Sequence, residues 1–458
     1  VHDDLHAEHP QFEGPPPMRT VRAALSGSIG AWRWILAVAG LFVGLQALFL
    51  LLLVLAHSIP AVFIYSELAT DIADGLWTTA DHPSDGISHR GLSDAYTDCI
   101  VLTAGLSSHT ATAIDPLWSA LTFPHLGSCE PAVAGVKALS TGGIPAIEGT
   151  YGRYWGGFAV LTRPLLALGG IGAVRIAAVL LVGAAVAILL VVARRRIGIL
   201  PAIALLTPVL VSTNFMTQST TGFSHLIEFS IALLGGALGF TVGARSSWTI
   251  AAGGMVAGAL FVFVDFLHNP PIAWMLFVFG AVAVRLESHP SSRRSGAKAL
   301  IAATVSWLAG YGATWAARWM IGLASGAVAW DELSGKVSRW TSGTDDAIDL
   351  PSGPGAATKI NAGFWLDVPT ALPVALAVLG LLAWAVVTLV RTHDRLAARR
   401  MALLAAPALL AIVWLEALSG HSTWHAFFVY RALPMAAGVV AASAVMTALA
   451  RRLLAARS

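Results

Sequence analysis

Ten stretches of this chain are apolar for long enough, or nearly long enough, to cross a lipid bilayer. They run near 33–57, 171–193, 198–213, 225–243, 248–267, 270–285, 299–322, 369–390, 401–418 and 426–449, the third and sixth being short. A helix needs about 20 apolar residues to span a hydrocarbon core roughly 30 Å thick, and backbone amides in lipid must find partners within the segment. Of the 458 residues, 56% are hydrophobic and only 12% charged, with a mean hydropathy of +0.73, whereas about a quarter of a soluble domain is charged. The expected fold is an all-α polytopic membrane protein of about ten transmembrane helices, in the cell membrane.

The basic residues fix an expected orientation, because cytoplasmic ends carry an excess of Lys and Arg. Arg19, Arg22 and Arg33 precede the first span, Arg194 to Arg196 follow the second, and Arg245 follows the fourth. Arg285, Arg293, Arg294 and Lys298 separate the sixth and seventh, Arg391 to Arg400 the eighth and ninth, and Arg451, Arg452 and Arg457 end the chain. With ten spans all these clusters share one side, and both termini are cytoplasmic. The net charge of +3 then reads as topology and implies no nucleic-acid partner. Residues 1–30 are polar and proline-bearing without the core of a cleavable signal, so a disordered cytoplasmic tail is expected there, with 31–458 forming the transmembrane domain.

Two long segments fall on the extracytoplasmic side, 58–168 and 323–368. The first is too long for a simple connection and holds both cysteines, Cys99 and Cys129. In an oxidising compartment a disulfide between them is expected, the alternative being two buried thiols. The second is rich in Gly, Ser, Asp and Pro and reads as a flexible loop that orders over a substrate; Asp345 and Asp346 there read as solvated.

Ionisable side chains at the edge of a span are costly to bury and usually face a cavity. Glu228, Asp265, His268, Glu416, His421 and Arg431 all sit toward the outer ends of their spans, and Arg153 and Arg163 precede the second. Each alone is also explained by a side chain reaching to the headgroups; together they suggest a polar vestibule opening outward. In "SGHSTWHAFFVYRALP", residues 419–434, His421 and His425 stand at i, i+4, but the glutamate of helical zinc motifs is absent. A phosphate held by His421, His425 and Arg431 is the better reading. "TYGRYWGGFAVLTRPLLAL", residues 150–168, combines Tyr151, Tyr154 and Trp155 with Arg153 and Arg163, the composition of an interfacial helix that guides a lipid-phosphate head.

The acids of the first loop carry the remaining chemistry. Asp94 and Asp98 share a face if 94–106 is helical. They serve as capping acids, at the positive end of a helix for which Ser93 is also a candidate cap, as ligands of a divalent metal completed by other loop acids, or as a general base that deprotonates an attacking hydroxyl. Glu67, Asp71 and Asp74, at i, i+4, i+7, form a rival acidic face. The pattern requires no metal or other cofactor, and leaves a divalent metal open.

The layout resembles that of GT-C-type glycosyltransferases, which have many spans, a long first outer loop bearing an acid, and interfacial helices before the second span. "SDAYTDCIVL" and "YGRYWGGFAVLTRPLL" look like motifs of a group of bacterial membrane proteins associated with surface polysaccharide. Asp94, Thr97 and Asp98 approximate the group's Asp-x-x-Thr-Asp run, and His421 and Ser422 match its late histidine-serine pair. Gly156 stands where its Arg-Tyr-Trp-His-Gly run has histidine, which removes a histidine role at that position. The resemblance implies transfer of a sugar from a polyprenyl-phosphate donor to a cell-envelope glycan or lipid-linked acceptor, with inversion assumed. Asp94 or Asp98 is then the base, and Arg153, Tyr154, Arg163, His421, His425 and Arg431 lie near the donor phosphate, with Glu67, Asp71, Asp74, Glu228, Asp265 and His268 as secondary candidates. A lipid-linked glycan polymerase or ligase, and a non-enzymatic transporter, are the alternatives; a transporter predicts polar groups at the midplane and an internal repeat, and the sequence has neither.

Overall fold

The computed structural model describes residues 18–82, 94–108, 115–215, 222–289, 292–342, 344–345, 348–349, 351 and 353–455. Residues 1–17 of the expected disordered tail, and Asp346, lie outside these. Residues 18–30 of that tail belong to the first helix, α1 (Met18–His57), which begins well before the apolar run. The chain divides into two compact units, 1–45 and 46–458; the described part of the first is the N-terminal portion of α1, and every other element belongs to the second.

Among the described residues, eight helices are long and apolar enough to cross a membrane, so the chain is an all-α, multi-pass membrane protein in type. After α1 come α2 (Ala61–Ala73), α3 (Ala95–Leu102), α4 (Pro116–Thr122) and α5 (Cys129–Ser140). Next are α6 (Ala159–Ile197), α7 (Ile199–Val211), α8 (Phe223–Val242), α9 (Ser247–Val264), α10 (Pro270–Ser288) and α11 (Arg293–Ala324). The chain continues through α12 (Trp330–Ser342), α13 (Ala356–Leu366), α14 (Ala371–Thr392), α15 (Arg395–Ala405) and α16 (Leu409–Ala417). The short α17 (Ser419–Trp424) and α18 (Ala426–Val429) lead into α19 (Ala432–Ala455).

Two of the ten expected spans are not among the eight. The 13-residue α7 is about 20 Å long, short of the hydrocarbon core. The 32-residue α11 has the length, but Arg318 and its Gly, Thr and Trp residues dilute its apolar character. The sixth segment, short by its sequence, is α10, and it is the most enclosed of the eight, with every residue from 270 to 286 buried. Apolar residues all round a helix are what burial on every side selects.

Small residues let these helices approach closely, as lipid-embedded packing demands. A Cβ on Gly258 of α9 would strike the Trp307 carbonyl of α11, and one on Gly310 of α11 would strike the Met255 carbonyl of α9. Gly239 on α8 meets the Phe277 carbonyl of α10 in the same way.

The segment 58–168 is not an open loop. α3 and α5 are joined by the Cys99–Cys129 disulfide, and a two-residue strand, β1 (Pro124–His125), pairs antiparallel with β2 (Gly149–Thr150). Two buried arginines clamp it to the helices. Arg163 donates to the carbonyls of Ala56, Ile59 and Ala104, and Arg318 to those of Ala120 and Leu121 at 3.2 and 2.7 Å.

α6 contains a break that separates an entry helix from the span proper. Gly169 and Gly170 leave helical geometry, with Gly170 at φ 62°, and the Asp71 carboxylate accepts a hydrogen bond from Ile171 N at 2.8 Å. Asp71 therefore caps the second half of α6, satisfying a donor that the break leaves open.

Candidate functional site

Helix ends converge on one point. The N-terminus of α8 supplies His225 and Glu228, the turn between α9 and α10 supplies Asp265, His268 and Asn269, and the start of α3 supplies Asp94 and Thr97. Asp94 is the N-cap of α3, its Oδ1 accepting from Thr97 N at 3.1 Å and its Oδ2 from Thr97 Oγ1 at 2.5 Å. The capping reading of Asp94 thus holds, and the same carboxylate faces a cavity. Ser93, the other candidate cap, lies outside the described residues.

Around Asp94 the buried groups form a chain. His225 Nε2 is 3.3 Å and His268 Nε2 3.6 Å from Asp94 Oδ2. On its other edge His268 Nδ1 contacts Glu228 Oε2, whose partner oxygen accepts from Asn269 N at 3.0 Å. Arg431 Nη1 donates to His225 Nδ1 at 3.1 Å, and its Nε donates to Asn214 Oδ1 at 2.9 Å. Asp265 Oδ1 accepts from His268 N at 2.8 Å.

The electrostatics reflect burial and pairing. Burial pushes the Asp94 carboxyl up, but hydrogen bonds from His225 and His268 outweigh it and hold the group well below the usual range. Burial pushes His268 down, and the carboxylates of Glu228 and Asp94 more than reverse this, lifting it to about 10. Asp265 is raised, by burial first and then by Glu228.

A cavity of about 320 Å³ opens beside Asp94 and His268. Its walls carry Tyr96, Tyr151 and Tyr154, the cations Arg153, Lys336 and Arg339, and the histidines His82, His421 and His425. Arg153 lies over the Tyr151 ring at 4.2 Å and pairs with Glu332 of α12 at 2.8 Å. Tyr154 is pushed up to about 12, chiefly by burial, so its hydroxyl is a neutral donor. Burial holds His425 down at about 4, and His421 well below its ordinary value. His421 Nε2 donates to the Leu267 carbonyl at 2.7 Å.

Trp340 is shared with a second, apolar cavity of about 460 Å³ between α11 and α16, walled by Trp274, Tyr311, Trp315, Trp319 and Trp414. A polar pocket and an aromatic groove therefore meet at one side chain.

The sequence candidates sort by this geometry. Asp94, Arg153, Tyr154, His268, His421 and His425 line the cavity. Asp98 does not. It turns from the cavity to the start of α8, where its Oδ1 accepts from Ser224 N at 3.1 Å and Ser224 Oγ at 2.6 Å. Burial lifts its carboxyl to about 7 against those hydrogen bonds. Arg163 is spent on backbone carbonyls, so it is a clamp and not a phosphate ligand. Arg431 stands behind His225, with its guanidinium over Phe215 at 4.7 Å; it too is absent from the cavity wall. Glu228 and Asp265 are buried behind His268. Asp71 is the α6 cap, Asp74 is exposed at the C-cap of α2, and Glu67 is half-buried on the same helix, so the rival acidic face lines no part of the site.

Lys336, Arg339 and Trp340 do not stand out as site residues when 323–368 is read as a flexible loop. A signal for them is present all the same: Trp330, Leu333, Val337 and Trp340 recur at i, i+3, i+7, i+10, an amphipathic helix. His225 does not stand out in the sequence, being one of 14 histidines.

Among the described residues, two groups of three could hold a metal: Asp94, His225 and His268, and Glu228, Asp265 and His268, each with its ligand atoms within 4.8 Å of one another. In the second, the direct His268–Glu228 contact is that of a hydrogen bond.

No protein-family model, curated protein or solved structure matches the chain.

Proposed function

We propose that this protein is a membrane glycosyltransferase of GT-C type. It takes a sugar from a polyprenyl-phosphate donor and passes it to a cell-envelope glycan or lipid-linked acceptor on the extracytoplasmic face. The observation that carries this reading is the junction at Trp340, where a cavity that has Asp94, Arg153, Lys336 and Arg339 among its described lining residues meets an aromatic groove. A lipid phosphate needs both surfaces: guanidinium and ammonium groups for its oxygens and an apolar wall for its chain.

In this reading Asp94 is the general base. The acceptor oxygen attacks the anomeric carbon, the bond from that carbon to the phosphate oxygen breaks, and the hydroxyl proton passes to Asp94. Arg153, Lys336 and Arg339 hold the charge that grows on the departing polyprenyl phosphate. The neutral His421 and His425 offer hydrogen bonds to sugar hydroxyls.

The topology behind it is ten spans, counting α7 and α11, with both termini cytoplasmic. Support comes from Arg245 and Arg285, which lie at or just past the C-terminal ends of α8 and α10 while the N-terminal ends of those helices carry His225, Glu228 and Asn269, and from the disulfide of the first loop, which suits an oxidising compartment. The test is transfer by the purified protein in liposomes, offered labelled sugars on polyprenyl phosphate. Labelled product with wild type supports the reading, and no transfer from any such donor counts against it.

A further inference from the structure

We propose that a groove at the far end of α10 binds an anionic phospholipid from the leaflet opposite the candidate site. The groove holds about 370 Å³ and forms where the end of α10 meets the start of α11 and α15. Leu286, Leu396, Ala402 and Leu403 give it apolar walls, and Arg399 and Arg400 complete its lining. Asn269, the N-cap of α10, holds Glu228 at the candidate site. Leu286 lies near the other end of that helix, about 25 Å away at a rise of 1.5 Å per residue. The two sites are therefore separated by most of the thickness of a hydrocarbon core.

The apolar walls lie open where a membrane-spanning helix reaches the headgroup boundary. Leu396 is 36% exposed and Ala402 is exposed beside it. Gly296 lets α11 pack directly against α10 here, since a Cβ on it would strike the Leu286 side chain. An apolar face with basic residues on its flank is the surface that lies against acyl chains while its cations stay among the headgroups.

Charge decides which lipid. α11 opens with Arg293, Arg294 and Lys298, α15 carries Arg395, Arg399 and Arg400, and neither helix contains an acid. The two acids that flank them are occupied. Glu287 pairs with Arg400 at 3.1 Å, and Asp394 caps α15, accepting from Leu396 N and Ala397 N at 2.8 and 2.9 Å. Arg400 also donates to the Leu286 carbonyl at 3.3 Å, so its guanidinium is held on the α10 side. Arg399 is exposed and pairs with no carboxylate among the described residues. Its planar fork matches the oxygens of a phosphodiester, and basic pockets between transmembrane helices bind acidic headgroups. A choline headgroup would bring its own cation to this rim, whereas phosphatidylglycerol brings only the negative charge.

The proposal is independent of the transferase reading, because lipid binding is measured without turnover. The test is native mass spectrometry of the full-length, delipidated protein in detergent, titrated with phosphatidylglycerol or with phosphatidylcholine of the same chains. Wild type should bind its first phosphatidylglycerol about tenfold or more tighter than its first phosphatidylcholine. Arg399→Gln should weaken that first phosphatidylglycerol about fivefold. Ala402→Trp, which fills the groove and keeps every cation, should weaken it as well. Arg391→Gln, at an exposed position on α14 that does not line the groove, should leave it unchanged. Equal affinity of wild type for the two lipids overturns the proposal, as does wild-type affinity in both Arg399→Gln and Ala402→Trp. A loss in Arg391→Gln equal to that in Arg399→Gln also overturns it, because the attraction is then diffuse and has no site.

Discussion

Arg153 of the first long loop and Glu332 of α12 form a 2.8 Å ion pair at the cavity edge, with the arginine side chain 9% and the glutamate 38% exposed. It ties together the two segments that supply the cavity's cations. A half-exposed pair contributes about 0–1 kcal/mol, so Glu332→Gln should weaken donor binding by no more than about fivefold and leave kcat nearly unchanged. Arg153→Ala removes a cavity cation as well and should cost more in both. Steady-state kinetics against donor concentration separate the two effects.

Asp71 is expected to be structural. Loss of its cap on Ile171 N should destabilise the protein by about 1–2 kcal/mol in Asp71→Ala, seen as a lower unfolding temperature in detergent, with activity per folded molecule retained. Gly170→Ala should be at least as damaging, since its added Cβ runs into the Asp71 carboxylate and its φ is 62°.

Asp98 sets a pH dependence of definite sign. Its folded-state value of about 7 lies above the ordinary carboxyl value of about 3.9, so the folded state holds its proton more tightly than the unfolded state. The associated stability is complete below about pH 4, falls as pH rises, and is gone above about pH 7. Asp98→Asn keeps an oxygen for Ser224 N and Oγ and cannot ionise. Its unfolding temperature should stay flat between pH 5 and 8 where that of wild type declines.

The aromatic groove gives a chain-length prediction. Trp340→Ala opens the wall common to groove and cavity, and should raise KM about tenfold or more for a long-chain polyprenyl donor, a loss of about 1.4 kcal/mol or more, with a smaller rise for a short-chain analogue. Equal losses for both donors would place Trp340 against the sugar or phosphate alone.

Membrane class, most span positions and the separation of an entry helix from the second span are legible in the sequence because hydropathy is a local property. The enclosure of α10 is not, since its sequence is short for a span and its burial depends on what surrounds it. Among the site residues, Asp94, Arg153 and His425 are found by charge placed near helix ends. The same rule also picks out Arg163 and Arg431, because a buried guanidinium that serves carbonyls or an amide reads in sequence like one that serves a ligand. Asp94 and Asp98 cannot be told apart by sequence, being four residues apart on one short helix; only the positions of Ser224 and His225 on a distant helix send one to a cap contact and the other to the cavity.

That divergence allows the most direct test. Sugar transfer from polyprenyl phosphate should be measured for wild type, Asp94→Asn and Asp98→Asn side by side in liposomes, at equal amounts of folded protein. Asp94→Asn is expected to lose about 10²–10⁴-fold in kcat, with Asp98→Asn within a few-fold of wild type. Full transfer by Asp94→Asn, or loss confined to Asp98→Asn, would contradict the assignment of Asp94 as the base.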